Sequence, residues 1–152
     1  MKSVLNTALL FFLLYFVYSC ADRSPEHIIE IGFSYSGGRV GYFDMLKITP
    51  RIILYKTGYS VIKNSTRSVE EKNNALIWND LSNAIDLENL SKIDGGKPAT
   101  DVLELNFEVY IETNRARYSF FNDQIDSLNN GATHKFMIKL DSIHHSYSSK
   151  LK

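Results

Sequence analysis

The sequence predicts an α+β domain, an antiparallel sheet of about four to six strands with two helices packed on one face. Three observations carry this reading. Apolar residues alternate with period two at Ile29, Ile31, Phe33 and Tyr35, and again at Leu103, Leu105, Phe107, Val109 and Ile111. That period places every second side chain on one face of a strand. Breaks suited to tight turns follow both runs, at Ser36-Gly37-Gly38 and at Thr113-Asn114. Stretches of helical spacing then follow Ser68 and Thr133. Strands in pairs, each pair followed by a helix, imply helices covering one face of an antiparallel sheet.

The elements follow in order. The first strand begins near His27, turns over at the glycine tip and returns through Val40 to Ile48 as a hairpin. Pro50 interrupts the ladder, because proline has no N–H to donate. Arg51 to Tyr55, Thr57-Gly58 and Tyr59 to Ile62 read as one or two further strands around a turn. Ser68 with Glu71 three residues later has the form of a capping box, in which each side chain satisfies a free backbone N–H. The helix it would open buries Leu76, Ile77, Leu81, Ala84 and Ile85, with Trp78 at the edge of the stripe. Asp86 to Pro98, containing Gly95-Gly96, reads as a loop. Val102 to Glu112 is the clearest half-buried strand, its polar face carrying Glu104, Asn106, Glu108, Tyr110 and Glu112. Thr113-Asn114 turns it into Ala116 to Phe121. After a polar loop through Asn129-Asn130-Gly131, Thr133 caps a last helix burying Phe136, Met137, Leu140 and Ile143.

Ahead of this domain the chain has a different character. Lys2 gives a short positive region, Val4 to Val17 is almost wholly apolar, and Val17-Tyr18-Ser19-Cys20 closes the run. The run is short for a membrane span and has the layout of an export leader. Ser19 before the only cysteine of the chain resembles a bacterial lipoprotein signal. The resemblance implies removal of residues 1–19, acylation of Cys20 as the new N-terminus and a membrane anchor through that lipid. Residues 20–26, with Pro25, then read as a lipidated tether, and 27–152 as a single domain. Ala21, rather than an aspartate, follows the cysteine, so the usual inner-membrane retention signal is missing and the outer membrane of the cell envelope is favoured.

Composition narrows the function further. The 17 basic and 17 acidic residues balance, and loss of Lys2 with the leader leaves 16 against 17. Such a balance gives no reason to expect nucleic acid or polybasic membrane binding. With Cys20 acylated no thiol remains for a disulfide or a thiolate site, so stability has to come from a core.

Catalytic or metal-binding patterns are sparse. His144 and His145 are adjacent, so on a helix they point about 100° apart and cannot grip one metal. Asp141 and His145 have i,i+4 spacing, which a solvated pair near a helix C-terminus also explains. His27 and His134 flank elements and read as solvent-exposed. No serine stands in a G-x-S-x-G setting. Gly37, Gly38 and Gly41 join two strands rather than a strand and a helix, which argues against a phosphate loop. No catalytic residue, metal site or cofactor is therefore assigned.

The run Tyr35-Ser36-Gly37-Gly38-Arg39-Val40-Gly41 resembles the S-G-G-F-x-G signature of emfourin-like inhibitors of thermolysin-type metalloproteases. The later order is similar too: a helix, a strand after Asp101, a second strand ending in Phe120-Phe121-Asn122-Asp123, and a final helix. Arg39 stands where the family has an aromatic residue, and Arg51 to Asn64 reads as an insertion. The resemblance implies a protein-binding domain, a protease inhibitor in the family's case, acting through its first hairpin. The residues themselves point to the same place. Tyr35, Arg39, Tyr42 and Phe43 cluster around three glycines, and aromatic and arginine side chains are the usual anchors of interfaces. The expected function is a non-enzymatic, membrane-anchored envelope protein that binds a partner protein, the resemblance implying a thermolysin-like metalloprotease, through Tyr35, Ser36, Gly37, Gly38, Arg39, Gly41 and Tyr42. The alternatives are a structural lipoprotein of envelope assembly and, more remotely, a small enzyme.

Overall fold

A computed structural model of the chain describes residues 24–101, 104–128 and 133–151. The leader, Cys20, Val102-Leu103 and the Asn129-Asn130-Gly131 loop lie outside these described residues. Among the described residues six strands form one antiparallel sheet: β1 (Ile28–Gly37), β2 (Tyr42–Ile48), β3 (Ile52–Tyr59), β4 (Arg67–Lys72), β5 (Leu105–Thr113) and β6 (Arg117–Phe121). Their order across the sheet is β4-β3-β2-β1-β5-β6. The helices are α1 (Ala75–Ser82), α2 (Leu87–Leu90), α3 (Ile125–Leu128) and α4 (His134–Ser149). This is the α+β architecture the alternation predicts.

The register explains the core row by row. Ile111, Ile31, Ile48 and Ile53 are cross-strand partners, and so are Phe120, Val109, Phe33, Leu46 and Tyr55. All of these are buried, together with Leu81, Leu90, Ile125, Leu128, Phe136, Leu140 and Tyr147 from the helices. One face of the sheet is therefore dry, and the helices close it. The opposite face stays wet and is laced by charge. Tyr110 donates to Glu30 at 2.8 Å, Lys47 pairs with Glu30, and Arg117 lies 3.7 Å over the Tyr110 ring while pairing with Glu108 at 3.0 Å.

Several expectations are corrected. Ser68 and Glu71 do not cap a helix; they lie in β4, whose residues pair with β3 from Ile52↔Lys72 to Thr57↔Arg67. Six mostly charged residues on a sheet edge show little apolar alternation, so the capping-box pattern there is accidental. The helix start is set instead by Asn74, whose Oδ1 accepts from the Leu76 N–H at 2.8 Å. With that later start Leu76 and Ile77 face solvent, and Leu81 carries the burial with Trp78, Ala84 and Ile85 packed beside it. Tyr59 ends β3, so Val61 and Ile62 belong to a loop.

Asp86 to Pro98 is not all loop, because Asp86 caps α2 through the Glu88 and Asn89 N–H groups. At β1 a bulge between Ile28 and Glu30 exchanges faces, so Ile28 packs on the core and Ile29 is exposed. Thr133 precedes α4 but does not cap it; its hydroxyl donates to the Leu128 carbonyl at 2.5 Å.

The C-terminal turn of α4 is fastened to β4. Tyr147 donates to Glu71 at 2.9 Å, Lys150 pairs with the same carboxylate at 2.6 Å, and Arg67 donates to the Leu151 carbonyl at 3.0 Å. Burial first, and Glu71 second, push the Tyr147 phenol up to about 12.

Candidate functional site

Beyond the two dry rows the inner face of the sheet changes character. The third row runs Phe107, Tyr35, Asp44, Thr57 and Arg67, and the fourth Leu105, Gly37, Tyr42 and Tyr59. The β1–β2 turn, the β3–β4 loop and the start of β5 therefore meet at one end of the sheet. Five large apolar side chains are exposed there: Val40, Tyr59, Val61, Ile62 and Leu105, with Val61 at 68%.

The glycine hairpin is a backbone solution before it is anything else. Gly37 has φ +126°, and a Cβ on it would stand 2.1 Å from the Glu104 carbonyl oxygen. Gly41 has φ +58°, and its Cβ would meet the Ser60 hydroxyl at 2.0 Å. Any side chain at either position clashes, so both glycines are required by the turn itself. The Gly41 N–H donates to the Gly38 carbonyl at 2.9 Å, and the Ser60 N–H donates to Gly41 at 2.8 Å, tying the two loops into one tip. Arg39 and Val40 stand exposed on it.

The residues expected to form the site do not all converge. Tyr35 and Tyr42 share the inner face with ring centroids 5.8 Å apart, and Tyr42 continues to Tyr59 at 5.5 Å. Ser36 and Phe43 are cross-strand partners one register step away, which puts them on the outer face. Glycines 37, 38 and 41 supply the turn, and Arg39 projects from it.

Asp44 and His144 were not legible as partners. His144 Nε2 stands 3.1 Å from Asp44 Oδ2, and the imidazole packs 4.6 Å from Phe33 and 5.6 Å from Tyr55. Their side chains are only 21% and 13% exposed. Tyr42 donates to the same carboxylate oxygen at 3.4 Å and accepts from Thr57 at 3.2 Å. Among the described residues Asp44 Oδ1 is buried without a hydrogen-bond partner at ordinary hydrogen-bonding distance. Burial first, and Asp44 second, raise the Tyr55 phenol above its ordinary value. Burial is also the largest cause of the rise at Tyr42.

A groove of about 630 Å³ opens beside this cluster, bordered by Tyr42, Asp44, Tyr55, Tyr59, Ile62 and His144 among others. Asp141 and His144 line a smaller apolar cavity of about 190 Å³, which His145 does not reach. Ser148, one turn after His144, donates its hydroxyl to the His145 carbonyl at 3.0 Å rather than to the imidazole. The Asp44–His144 pair thus fastens α4 to β2. Among the described residues, no group of three or more His, Cys, Asp and Glu side chains could hold a metal ion, and no helix is long and apolar enough to cross a membrane.

The opposite end of the sheet holds the N-terminal segment. The Arg115 guanidinium donates to the Ser24 carbonyl at 2.5 Å, Thr113 and Tyr118 donate to Glu26 at 2.7 and 3.1 Å, and the His27 N–H donates to Asn114 Oδ1 at 3.0 Å. These contacts strap residues 24–27 to the β5–β6 hairpin. No family model matches the chain, and a search of curated proteins finds no match.

Proposed function

We propose that this chain is a lipid-anchored protein of the cell envelope whose domain binds another protein through the end of the sheet that carries the glycine hairpin. The supporting observation is the gathering of Val40, Tyr59, Val61, Ile62 and Leu105 in solvent at the end opposite the N-terminal strap. Exposed apolar side chains grouped in this way mark interaction surfaces, whereas single ones do not. The rigid turn and the Tyr42–Tyr59 wall enter a complex with little ordering cost. Acylation of Cys20 supplies the anchor, and the outer membrane is the favoured location. The partner class includes thermolysin-like metalloproteases, on the likeness of the Ser36 to Gly41 run to emfourin-like inhibitors. The domain acts in this reading as a binding module and not as an enzyme.

The test is affinity capture from envelope extracts with the lipidated full chain as bait. Val40→Asp with Val61→Asp should leave the melting temperature nearly unchanged, since both side chains are exposed. The pair should abolish capture. Capture that survives the double change removes the tip as the site. Failure of the wild-type chain to inhibit any thermolysin-like protease removes the inhibitor branch alone. Cys20→Ser should release the chain from membranes, and unchanged membrane fractionation would refute the anchor.

A further inference from the structure

Between the start of β5 and the N-terminal half of α4 the layer of helices leaves the sheet open. A trough of about 720 Å³ lies there, walled by Leu105 and Phe107 on one side and by Met137 and Ile138 on the other. Leu105 is 50% exposed and Ile138 56%, so each wall holds a large apolar side chain in solvent. The trough adjoins the apolar cavity of about 190 Å³, because Phe107, Met137 and Asp141 line both. A cavity with such a lining takes up a benzene ring at about 150 Å³ and otherwise stays dry.

The rim of the trough is acidic. Asp123, Asp126 and Asp141 stand exposed along it, and among the described residues no lysine or arginine lines it. The cations of this end lie elsewhere. Arg39 borders a separate groove with Glu104, and Lys63 and Arg67 lie across the sheet, beyond β2 and β3. Lys135 and Lys139 are turned about 140–180° round α4 from the Met137–Asp141 line, and Lys139 pairs there with Asp80. His134 precedes Ile138 by one turn, and Lys97 follows Gly96, which packs on Gln124. With both of these counted as cations, three carboxylates still leave the trough acidic.

We propose that this trough receives an extended segment of a partner protein, one carrying an aromatic or long aliphatic side chain next to lysine or arginine. The proposal rests on the reading of the domain as a binding module, and Leu105 joins the trough to the tip. The apolar side chain fills the cavity past Met137, whose unbranched chain adapts to what it meets. The neighbouring cations lie along the rim at Asp123 and Asp141. An acidic segment would stand like charge against like, and a purely polar one would leave the cavity empty. Rim charges select the segment, and the buried anchor holds it.

The chain carries its own reporters, with Met137 on the trough wall and Met45 on the wet face of β2. The lipidated full chain, labelled at its methionine methyl carbons and held in phosphatidylcholine nanodiscs, is titrated with a fluorescein-labelled peptide alternating phenylalanine and lysine. The Met137 methyl signal should shift and that of Met45 should stay. Serine in place of the phenylalanines should weaken binding at least about tenfold, the loss of one buried side chain. Glutamate in place of the lysines should abolish it. Asp123→Asn with Asp141→Asn should leave the melting temperature nearly unchanged and weaken binding about fivefold, as read by anisotropy. Val40→Asp with Val61→Asp should leave peptide binding intact, so a failure of the tip and a failure of the trough are read separately. An unshifted Met137 signal, equal binding of the glutamate peptide, or indifference to the two asparagines overturns the proposal. A Met137 shift that grows with the concentration of the chain alone assigns the trough to a second copy and overturns it as well.

Discussion

Gly32→Ala should be among the most damaging single-methyl additions in this protein. Gly32 lies in β1 on the wet face, and the Tyr110 ring from β5 is laid directly over it. A Cβ there would stand 2.0 Å from Tyr110 Cζ and 2.3 Å from its hydroxyl, where ordinary contact begins near 3.4 Å. The ring has to move by more than 1 Å. In moving it gives up the 2.8 Å hydrogen bond to Glu30 and its place 3.7 Å beneath Arg117. A bond to a charged acceptor contributes about 1.5–3 kcal/mol, and a cation–π contact at an exposed site about 0.5–1 kcal/mol. Removing a glycine from a strand returns about 0.5–1 kcal/mol. The net cost is about 1–3.5 kcal/mol, or roughly 4–14 °C in melting temperature for a domain of this size. A double-mutant cycle followed by circular dichroism isolates the cause. With Tyr110→Ala in place the added methyl meets no ring, and Gly32→Ala should become neutral or mildly stabilising. An equal cost in both backgrounds, within about 0.5 kcal/mol, would refute the reasoning.

Three further outcomes are expected. Phe107→Ala removes a half-buried ring that packs edge-on at 4.7 Å against Phe33, so it should cost about 2–3 kcal/mol in urea unfolding, whereas Glu112→Ala on the wet face, a more exposed carboxylate 3.8 Å from Arg117, should cost under about 1 kcal/mol. Equal costs would mean that the register of β5 is wrong. Glu71 is held below its usual 4.5 by the bonds from Lys150 and Tyr147, so its contribution is complete above that pH and is lost as pH falls through the folded-state value. The melting temperatures of wild type and Glu71→Gln should therefore differ at pH 7 and converge in acid, and a gap that widens in acid would contradict the assignment. Asp44→Ala leaves the His144 imidazole without its carboxylate and should cost about 1–3 kcal/mol, while the apolar pair Asp44→Leu with His144→Leu should recover much of that. A double variant less stable than Asp44→Ala alone would show the pair to be a net stabiliser.

Much of the fold was legible because period two is a strong local signal. Ile31, Phe33, Phe107, Val109 and Ile111 alternate in sequence and face the helices in space. Where the signal failed, something nonlocal decided. β4 is a charged edge strand in which only Val69 packs on the core, so nothing in its own residues announces a strand. Ile28 and Ile29 exchange roles at a bulge that depends on the pairing with β5. At the tip, the glycines were readable as a turn. Val61 and Ile62 were not readable as its companions, because β-branched residues suggest a strand until their exposure is known. Asp44 and His144 are 100 positions apart, and no local pattern connects them.

The place of that pair in the sheet bears on what the tip is for. A domain shaped by stability alone could continue the dry rows of Ile31 and Phe33 outward with further apolar side chains. Instead the third row carries Asp44 and Thr57, met by His144 from α4. Desolvating these groups is unfavourable, and an apolar replacement is often as stable, so another consequence has to justify them. That consequence is geometric. Tyr42 reaches into the polar row, donating to Asp44 at 3.4 Å and accepting at 3.2 Å from a Thr57 hydroxyl that also faces the Phe43 carbonyl at 3.1 Å, and Tyr59 leans on Tyr42. The polar row thereby fixes the aromatic wall of the fourth row, where loose aromatic side chains would pay rotamer entropy on meeting a partner. If this is its role, the Asp44→Leu, His144→Leu protein should remain folded yet capture its envelope partner more weakly than the wild type does.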